Sequence, residues 1–120
     1  MFRYKGDADG TVRFYLSGNG INTYRVYFLV QNKTSVLTFV FNGTTFKVYE
    51  DNVELTVTVE FGSVPSSLFT TNIGTLIGGS YDDATGIPSI IYNAVTQYNV
   101  AVTEDTRGRI YQYFKQRFQL

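Results

Sequence analysis

Residues 39–49, FVFNGTTFKVY, place an Asn-Gly dipeptide between two runs of β-branched and aromatic residues. Asn42-Gly43 is a strong short-range signal of a β-hairpin with a two-residue turn, because both central positions of that turn favour φ > 0. Side chains alternate between the two faces of a strand, so Phe39 and Phe41 lie on one face and Val40 on the other. Both faces of this strand are apolar, and the sequence therefore predicts a hairpin that is covered on both sides.

The first half of the chain repeats this rhythm of short β-prone runs and turn residues. The clearest run is 53–61, VELTVTVEF, in which apolar residues alternate with polar ones as in a half-buried strand. The connections between the runs are too short for helical crossovers. The pattern predicts one domain over 1–120 with an all-β, mainly antiparallel fold of about seven to nine strands, arranged as a β-sandwich or in a jelly-roll-like way.

The second half of the chain gives weaker signals. Residues 62–89 are rich in Gly and Ser and contain both prolines, which predicts a long loop or arm. Pro88 and Ser89 favour the start of a short helix near 88–98, although the β-branched content of that segment also fits a strand. The alternation in 109–120, RIYQYFKQRFQL, predicts a final strand.

The composition limits the chemistry that the chain can perform. The sequence contains no Cys, His or Trp, so we predict no disulfide, no thiolate or imidazole metal site and no Cys/His catalysis. Catalysis would have to use carboxylates, of which four pairs stand close together in predicted turns, where Asp typically bonds the local backbone. These pairs are Asp7 with Asp9, Glu50 with Asp51, Asp82 with Asp83, and Glu104 with Asp105.

The segment GDADG at 6–10 begins like a calcium loop, but the later oxygen ligands of such a loop are missing. We therefore predict no catalytic, cofactor or metal site. A hydrolase that uses only carboxylates is the remaining enzyme alternative, and a Ca²⁺ bound adventitiously at the aspartate pairs is the remaining metal alternative.

Charge and hydropathy restrict the partners. Ten basic and ten acidic residues cancel, which argues against broad attraction to nucleic acid or anionic lipid but leaves room for a local patch. The charged N-terminus lacks the apolar core of a signal peptide, and the longest apolar run, 26–30, is too short to span a bilayer. We expect no signal peptide or transmembrane segment and a location in a virion or in the cytoplasm.

One basic and aromatic cluster stands at the C-terminus. In a strand, alternate residues would bring the cations and tyrosines onto one face, and this composition is typical of a stacking surface for single-stranded nucleic acid. The alternative is an ordinary strand whose cations balance acids on neighbouring strands, which the neutral net charge favours. The face would consist of Arg107, Arg109, Tyr111, Tyr113, Lys115 and Arg117.

The leading hypothesis comes from two predicted strands that are apolar on both faces. Residues 26–30 and 36–41 are apolar on both faces and are predicted to form a central hairpin. Each large apolar side chain left exposed would forgo about 2 kcal/mol of burial. The second cover comes either from the C-terminal half or from another subunit. The predicted assembly interface is Leu29, Leu37, Phe39 and Phe41.

We therefore predict a non-enzymatic structural protein that forms a homo-oligomer or joins other structural subunits. Composition and chain economy favour a small virion component, such as a capsid, decoration or tail-associated protein. The alternative is a monomeric β-sandwich module that binds a peptide, a glycan or single-stranded nucleic acid on a Tyr-rich face.

Overall fold

The computed structural model of the protein describes residues 2–6, 10–21, 23–31, 34–68, 94 and 96–120. These residues are mostly β, with two small antiparallel sheets and one C-terminal helix. The elements are β1 (Phe2–Gly6), β2 (Thr11–Ser17), β3 (Thr23–Leu29), β4 (Leu37–Phe41), β5 (Phe46–Glu50), β6 (Val53–Glu54), β7 (Thr58–Phe61) and α1 (Glu104–Phe118). One sheet has the order β1-β2-β3-β7 and the other has the order β4-β5-β6.

The four-stranded sheet supplies most of the core from one of its faces. Along β2 and β3 every second residue is buried, as the two-residue period of a strand requires when one face is covered. The register aligns the buried positions of the two strands, for example Phe14 with Val26. The buried apolar residues of this inward face are Val12, Phe14, Leu16, Tyr24, Val26 and Phe28.

Aromatic rings join this inward face to the three-stranded sheet. The ring of Phe14 stacks on Phe39 at a centroid distance of 4.8 Å and on Phe46 at 4.5 Å. Phe39 also lies 6.0 Å from the ring of Phe28. Phe39 and Phe46 are therefore covered largely by the protein's own opposite sheet.

The predicted hairpin at 39–49 is present, but its two-residue turn is wrong. β4 and β5 pair through Phe41 and Phe46, which leaves a four-residue loop at 42–45. Asn42 organises this loop, because its Oδ1 accepts hydrogen bonds from the backbone N–H groups of Thr44 and Thr45 at 3.0 and 2.8 Å. The side-chain acceptor thus replaces the tight backbone turn.

The two-residue turn occurs instead between β5 and β6. Asp51 and Asn52 have φ values of 49° and 68°, and Glu50 pairs with Val53 on either side of them. Positive φ at both central positions is the conformation of a type I′ turn, which matches the twist of the flanking strands.

The predicted central hairpin of 26–30 with 36–41 is wrong, because the two segments lie in different sheets. β3 pairs with β2 and β7, whereas β4 pairs with β5. Two acidic side chains fix the connection between the sheets. The buried Glu50 carboxylate accepts the Gln31 backbone N–H at 2.9 and 3.1 Å, and Asp51 Oδ1 accepts that of Val36 at 3.0 Å.

The predicted single strand over 53–61 is also wrong, since the segment passes from one sheet to the other. β6 pairs with β5, residues 55–57 have no regular structure, and β7 pairs with β3. Alternating sequence cannot distinguish a continuous strand from one that changes sheets at a bend.

The predicted final strand over 109–120 is a helix. Thr103 caps α1, with its Oγ1 accepting the Thr106 N–H at 3.3 Å, and Gln119 ends it in the left-handed conformation. Acidic residues in the first turn and basic residues in the last turn complement the helix dipole.

The predictions for 62–89 and 88–98 fall partly outside the residues that the structure describes. Within the predicted loop over 62–89, residues 62–68 have no regular secondary structure, and the rest lie outside the described residues. Most of the predicted helix near 88–98 also lies outside them.

Candidate functional site

The β7 strand ends the four-stranded sheet and exposes apolar side chains on both of its faces. Val59 pairs with the buried Val26, yet its own side chain is 53% exposed, and Phe61, opposite Arg25, is 62% exposed. Among the described strands, none pairs with the outer edge of β7. An edge strand with these properties is a template for pairing with another chain.

The one acidic residue of β7 is held by two arginines of its own sheet. The Glu60 carboxylate binds Arg25 Nε through Oε2 at 3.0 Å and Arg13 Nε through Oε1 at 3.4 Å. Glu60 stands at an irregularity in the β3–β7 register, where Arg25 faces Phe61 and Val26 faces Val59. This β-bulge directs the carboxylate onto the arginines.

Arginines and tyrosines alternate across the outer face of this sheet. The register places Arg13 opposite Tyr27 and Tyr15 opposite Arg25, so each cation has a ring beside it across the strands and along its own strand. Residues directly opposite each other in an antiparallel pair share a face, with Cβ atoms about 5 Å apart. The outer face is therefore a checkerboard of two cations and two rings, which Phe61 extends onto β7.

A shallow depression lies at the β7 side of this checkerboard. It has a volume of about 340 Å³ and is lined by Tyr15, Thr23, Arg25 and Phe61. Two rings, a hydroxyl and a guanidinium therefore converge on one open site. Arg25 pairs with Glu60 through Nε, and within the described part of the chain no partner is seen on its terminal nitrogens.

The four residues of the predicted assembly interface do not form one surface. Leu29, 51% exposed, belongs to the outer face of the four-stranded sheet. Phe39 and Phe41 pack against the core from the other sheet, and Leu37 is half-buried in the same strand. The sequence does not reveal that apolar side chains of β7 are exposed, because the alternation in 53–61 indicates which side chains share a face and not whether anything covers them.

The six residues of the predicted basic and aromatic face also separate. Successive residues of a helix are rotated by about 100°, so positions two apart lie on nearly opposite sides. Arg107 is buried at 8% exposure, whereas Arg109 is exposed and pairs with Asp105 at 2.7 Å. Lys115 Nζ lies 5.8 Å from the ring centre of Tyr111. Tyr113 is 61% exposed, and Arg117 lies in the last turn.

Both carboxylate pairs that lie in the described residues have structural contacts. Glu50 and Asp51 bind backbone N–H groups of the connection between the sheets, and Glu104 and Asp105 lie in the first turn of α1. The pairs at 7 and 9 and at 82 and 83 lie outside the described residues. In the part of the chain that the structure describes, no group of three or more acidic side chains could hold a metal ion.

No helix among the described residues is both long enough and apolar enough to cross a membrane. Comparison of the chain with protein-family models, with curated proteins and with solved structures gives no match in any of the three.

Proposed function

We propose that the protein is a non-enzymatic structural subunit that self-associates by pairing β7 with β7 of a second copy. The observation that carries this proposal is the edge of β7, unpaired among the described strands, together with the 53% exposure of Val59, an apolar residue on its inward face. Burial of such a side chain is worth about 1.5 to 3 kcal/mol, and a second copy supplies the cover for Val59, which shares the inward face with Val26, while Phe61 on the outer face stays accessible. The composition favours a virion as the resulting assembly.

The geometry of an antiparallel edge suits a second copy of the same strand. A two-fold axis brings two identical edges together in antiparallel orientation, so each copy offers the N–H and C=O groups that the other needs. The pairing would extend the four-stranded sheet of one copy into that of its partner. It leaves the outer faces of both sheets accessible.

The charge of β7 is compatible with this pairing. In a register that sets Glu60 opposite Glu60 of the partner, two like charges would face each other across the strands, which is destabilising. Glu60 is instead bound to Arg13 and Arg25 of its own sheet. The edge therefore presents apolar groups and backbone, with its carboxylate already neutralised.

We also propose that the two sheets form a β-sandwich. A β-sandwich is supported by the stacking of Phe14 on Phe39 and Phe46 from the opposite sheet. The passage of the chain from β6 to β7 supports it as well, because strands that change sheets at a bend form the corners of sandwiches.

Light scattering behind size exclusion, over a wide concentration range, tests the proposed assembly. Val59→Lys places a charge on the edge strand, a device that blocks edge-to-edge pairing. Val53→Lys is the matched control, since Val53 is a 67% exposed valine on β6 of the other sheet. We expect a discrete oligomer for the parent chain and for Val53→Lys, and a folded monomer by circular dichroism for Val59→Lys.

Two outcomes would contradict the proposal. One is a folded monomer for the parent chain at every concentration. The other is an oligomer that survives Val59→Lys unchanged, which would move the interface away from β7.

A further inference from the structure

We propose that the outer face of the four-stranded sheet binds single-stranded nucleic acid. This sheet-face site consists of Arg13, Tyr15, Arg25, Tyr27 and Phe61. The proposal does not depend on self-association, because the site lies on the face of the sheet and not at its edge.

The rings of the sheet-face site have the placement that base stacking needs. Tyr15 and Tyr27 lie on adjacent strands, two register positions apart, and each is half-buried with the strand fixing its position. Phe61 lies beyond Arg25 on β7 and is 62% exposed. Unpaired bases stack on aromatic side chains of this kind with little sequence preference, because every base has a π face.

The cations lie between these rings. Arg25 has Tyr15 and Phe61 on its two neighbouring strands, and Arg13 has Tyr27 across from it. A guanidinium binds phosphate oxygens through two parallel N–H groups and also stacks on rings. Because cations and rings alternate, the site can bind both the phosphates and the bases of one nucleic acid strand.

Glu60 fits this site as a positioning residue for the arginines. It binds both guanidinium groups through Nε, at 3.0 Å for Arg25 and 3.4 Å for Arg13. For Arg25, no partner is seen on the terminal nitrogens within the described residues, so they are available to a phosphate in the depression formed with Tyr15, Thr23 and Phe61. One carboxylate thus orients both guanidinium groups from the β7 side of the sheet.

The two cations of the site stand on adjacent strands, Arg13 on β2 and Arg25 on β3. The sequence is neutral as a whole, yet a local patch of cations attracts polyanions even when the net charge is zero.

A single strand fits better than other anionic partners. In a duplex the bases stack on one another and are not available to Tyr15 and Tyr27, whereas the bases of a single strand are. An acidic peptide or an anionic membrane surface would use the arginines but would gain no base stacking from the rings. Dependence of binding on the tyrosines therefore distinguishes the ligand.

Fluorescence anisotropy with labelled twelve-nucleotide oligothymidylate and oligoadenylate tests the proposal, using the full chain at low salt and at concentrations where its mass is known. We expect Tyr15→Leu and Tyr27→Leu each to weaken binding about tenfold or more, since each removes a stacking ring. Tyr15→Phe keeps the ring and should retain the affinity. Tyr113→Leu, which removes an exposed tyrosine of α1, is the matched control and should leave binding unchanged.

The salt dependence tests the arginines separately. Arg25→Gln should lower the slope of log K against log salt by about 0.7, the value for one phosphate contact to a single strand. Circular dichroism of each variant separates loss of binding from loss of folding, and Tyr15→Phe keeps the comparison valid if Tyr15→Leu does not fold.

Several results would overturn the proposal. They are no binding by the folded parent chain, equal binding by the parent and the Tyr27→Leu variant, loss of binding on Tyr113→Leu with Tyr15→Leu unaffected, and preference for a duplex, polyglutamate or anionic vesicles over the single strand. Each of these can occur whether or not Val59→Lys dissociates an oligomer, so the two proposals fail independently.

Discussion

Arg107 fastens the C-terminal helix to the three-stranded sheet. Its guanidinium carbon lies 3.6 Å from the ring centre of Tyr49, and its Nε donates a hydrogen bond to Asn52 Oδ1 at 2.8 Å. Asn52 has this position because it is in the two-residue turn between β5 and β6. Asn52, one of the two turn residues with positive φ, thus also accepts the hydrogen bond from the helix. Among the described residues of α1, Arg107 is the buried one.

We expect Arg107→Ala to lower the free energy of unfolding by about 2 kcal/mol or more, because it removes a desolvated cation–π contact and a charge-assisted hydrogen bond. Arg109→Ala is the matched control on the same helix, since Arg109 forms an exposed ion pair worth less than about 1 kcal/mol. Urea unfolding measures both changes. Equal effects of the two substitutions would refute the role of Arg107 as the anchor.

At the scale of elements, Gly62 directly follows β7 at a point where the chain passes close to the backbone of β3. Its φ is +75°, and a Cβ at this position would lie 2.6 Å from the carbonyl oxygen of Thr23 on β3. Neither feature is compatible with a side chain, because the left-handed conformation disfavours Cβ and the carbonyl belongs to a paired backbone.

Gly62→Ala should therefore destabilise the fold by about 2 kcal/mol or more. Gly108→Ala is the contrasting substitution, since a Cβ there would meet Asn52 Nδ2 at an ordinary 3.9 Å inside a helix. It should stabilise the protein by about 0.5 to 1 kcal/mol. Thermal unfolding of the two variants would contradict this account if both moved the midpoint in the same direction.

The spacing of the apolar residues in 109–120 explains why the sequence predicts a strand where the structure has a helix. Ile110, Phe114 and Phe118 are four residues apart, a spacing that fits both the two-residue period of a strand and, within a few turns, the 3.6-residue period of a helix. Gln112 and Gln116 distinguish a strand from a helix, because they would share the apolar face in a strand but leave it in a helix. The Thr103 cap and the charges at the two ends of the segment also indicate a helix.

At the scale of the whole molecule, two groups give stability the same dependence on pH. Burial raises the pKa of the Tyr24 hydroxyl above its usual 10.0, and the hydrogen bond and ion pair with Glu54 raise the pKa of Lys47 above its usual 10.5. A folded-state pKa above the unfolded one means that the folded state binds more protons at high pH. The contribution is thus fully present below about pH 10 and is lost as the pH rises through the folded values.

We expect the free energy of unfolding to fall as the pH rises above about 10, and to fall less steeply in Tyr24→Phe, which keeps the buried ring without the ionisable hydroxyl. Denaturant titrations of both chains between pH 8 and 11 measure the difference. An unchanged slope in Tyr24→Phe would show that burial of this hydroxyl does not couple to folding.

The two proposals also meet at this scale. Pairing of β7 with β7 would place two sheet-face sites on one continuous sheet, and a strand of nucleic acid that reaches both would bind more tightly than the sum of single contacts implies. Assembly and ligand binding would then favour each other, although each is tested by its own substitution.

The sequence by itself determined the local features of this protein. It predicted the β-rich first half, the hairpin at 39–49 and the alternation along its strands, because these depend on side-chain periodicity and on turn residues that act within a few positions. The absence of Cys and His likewise follows from composition alone and restricts the chemistry.

Only the tertiary structure decided which strands pair and which faces are covered. Phe39 lies against Phe14 and Val59 is exposed, although both belong to apolar faces of alternating runs. The pairing of Tyr15 with Arg25 and of Arg13 with Tyr27 depends on the register between β2 and β3. Strand order and register are set by contacts between residues far apart in the chain, and the period of a sequence contains no information about which distant segment will cover it.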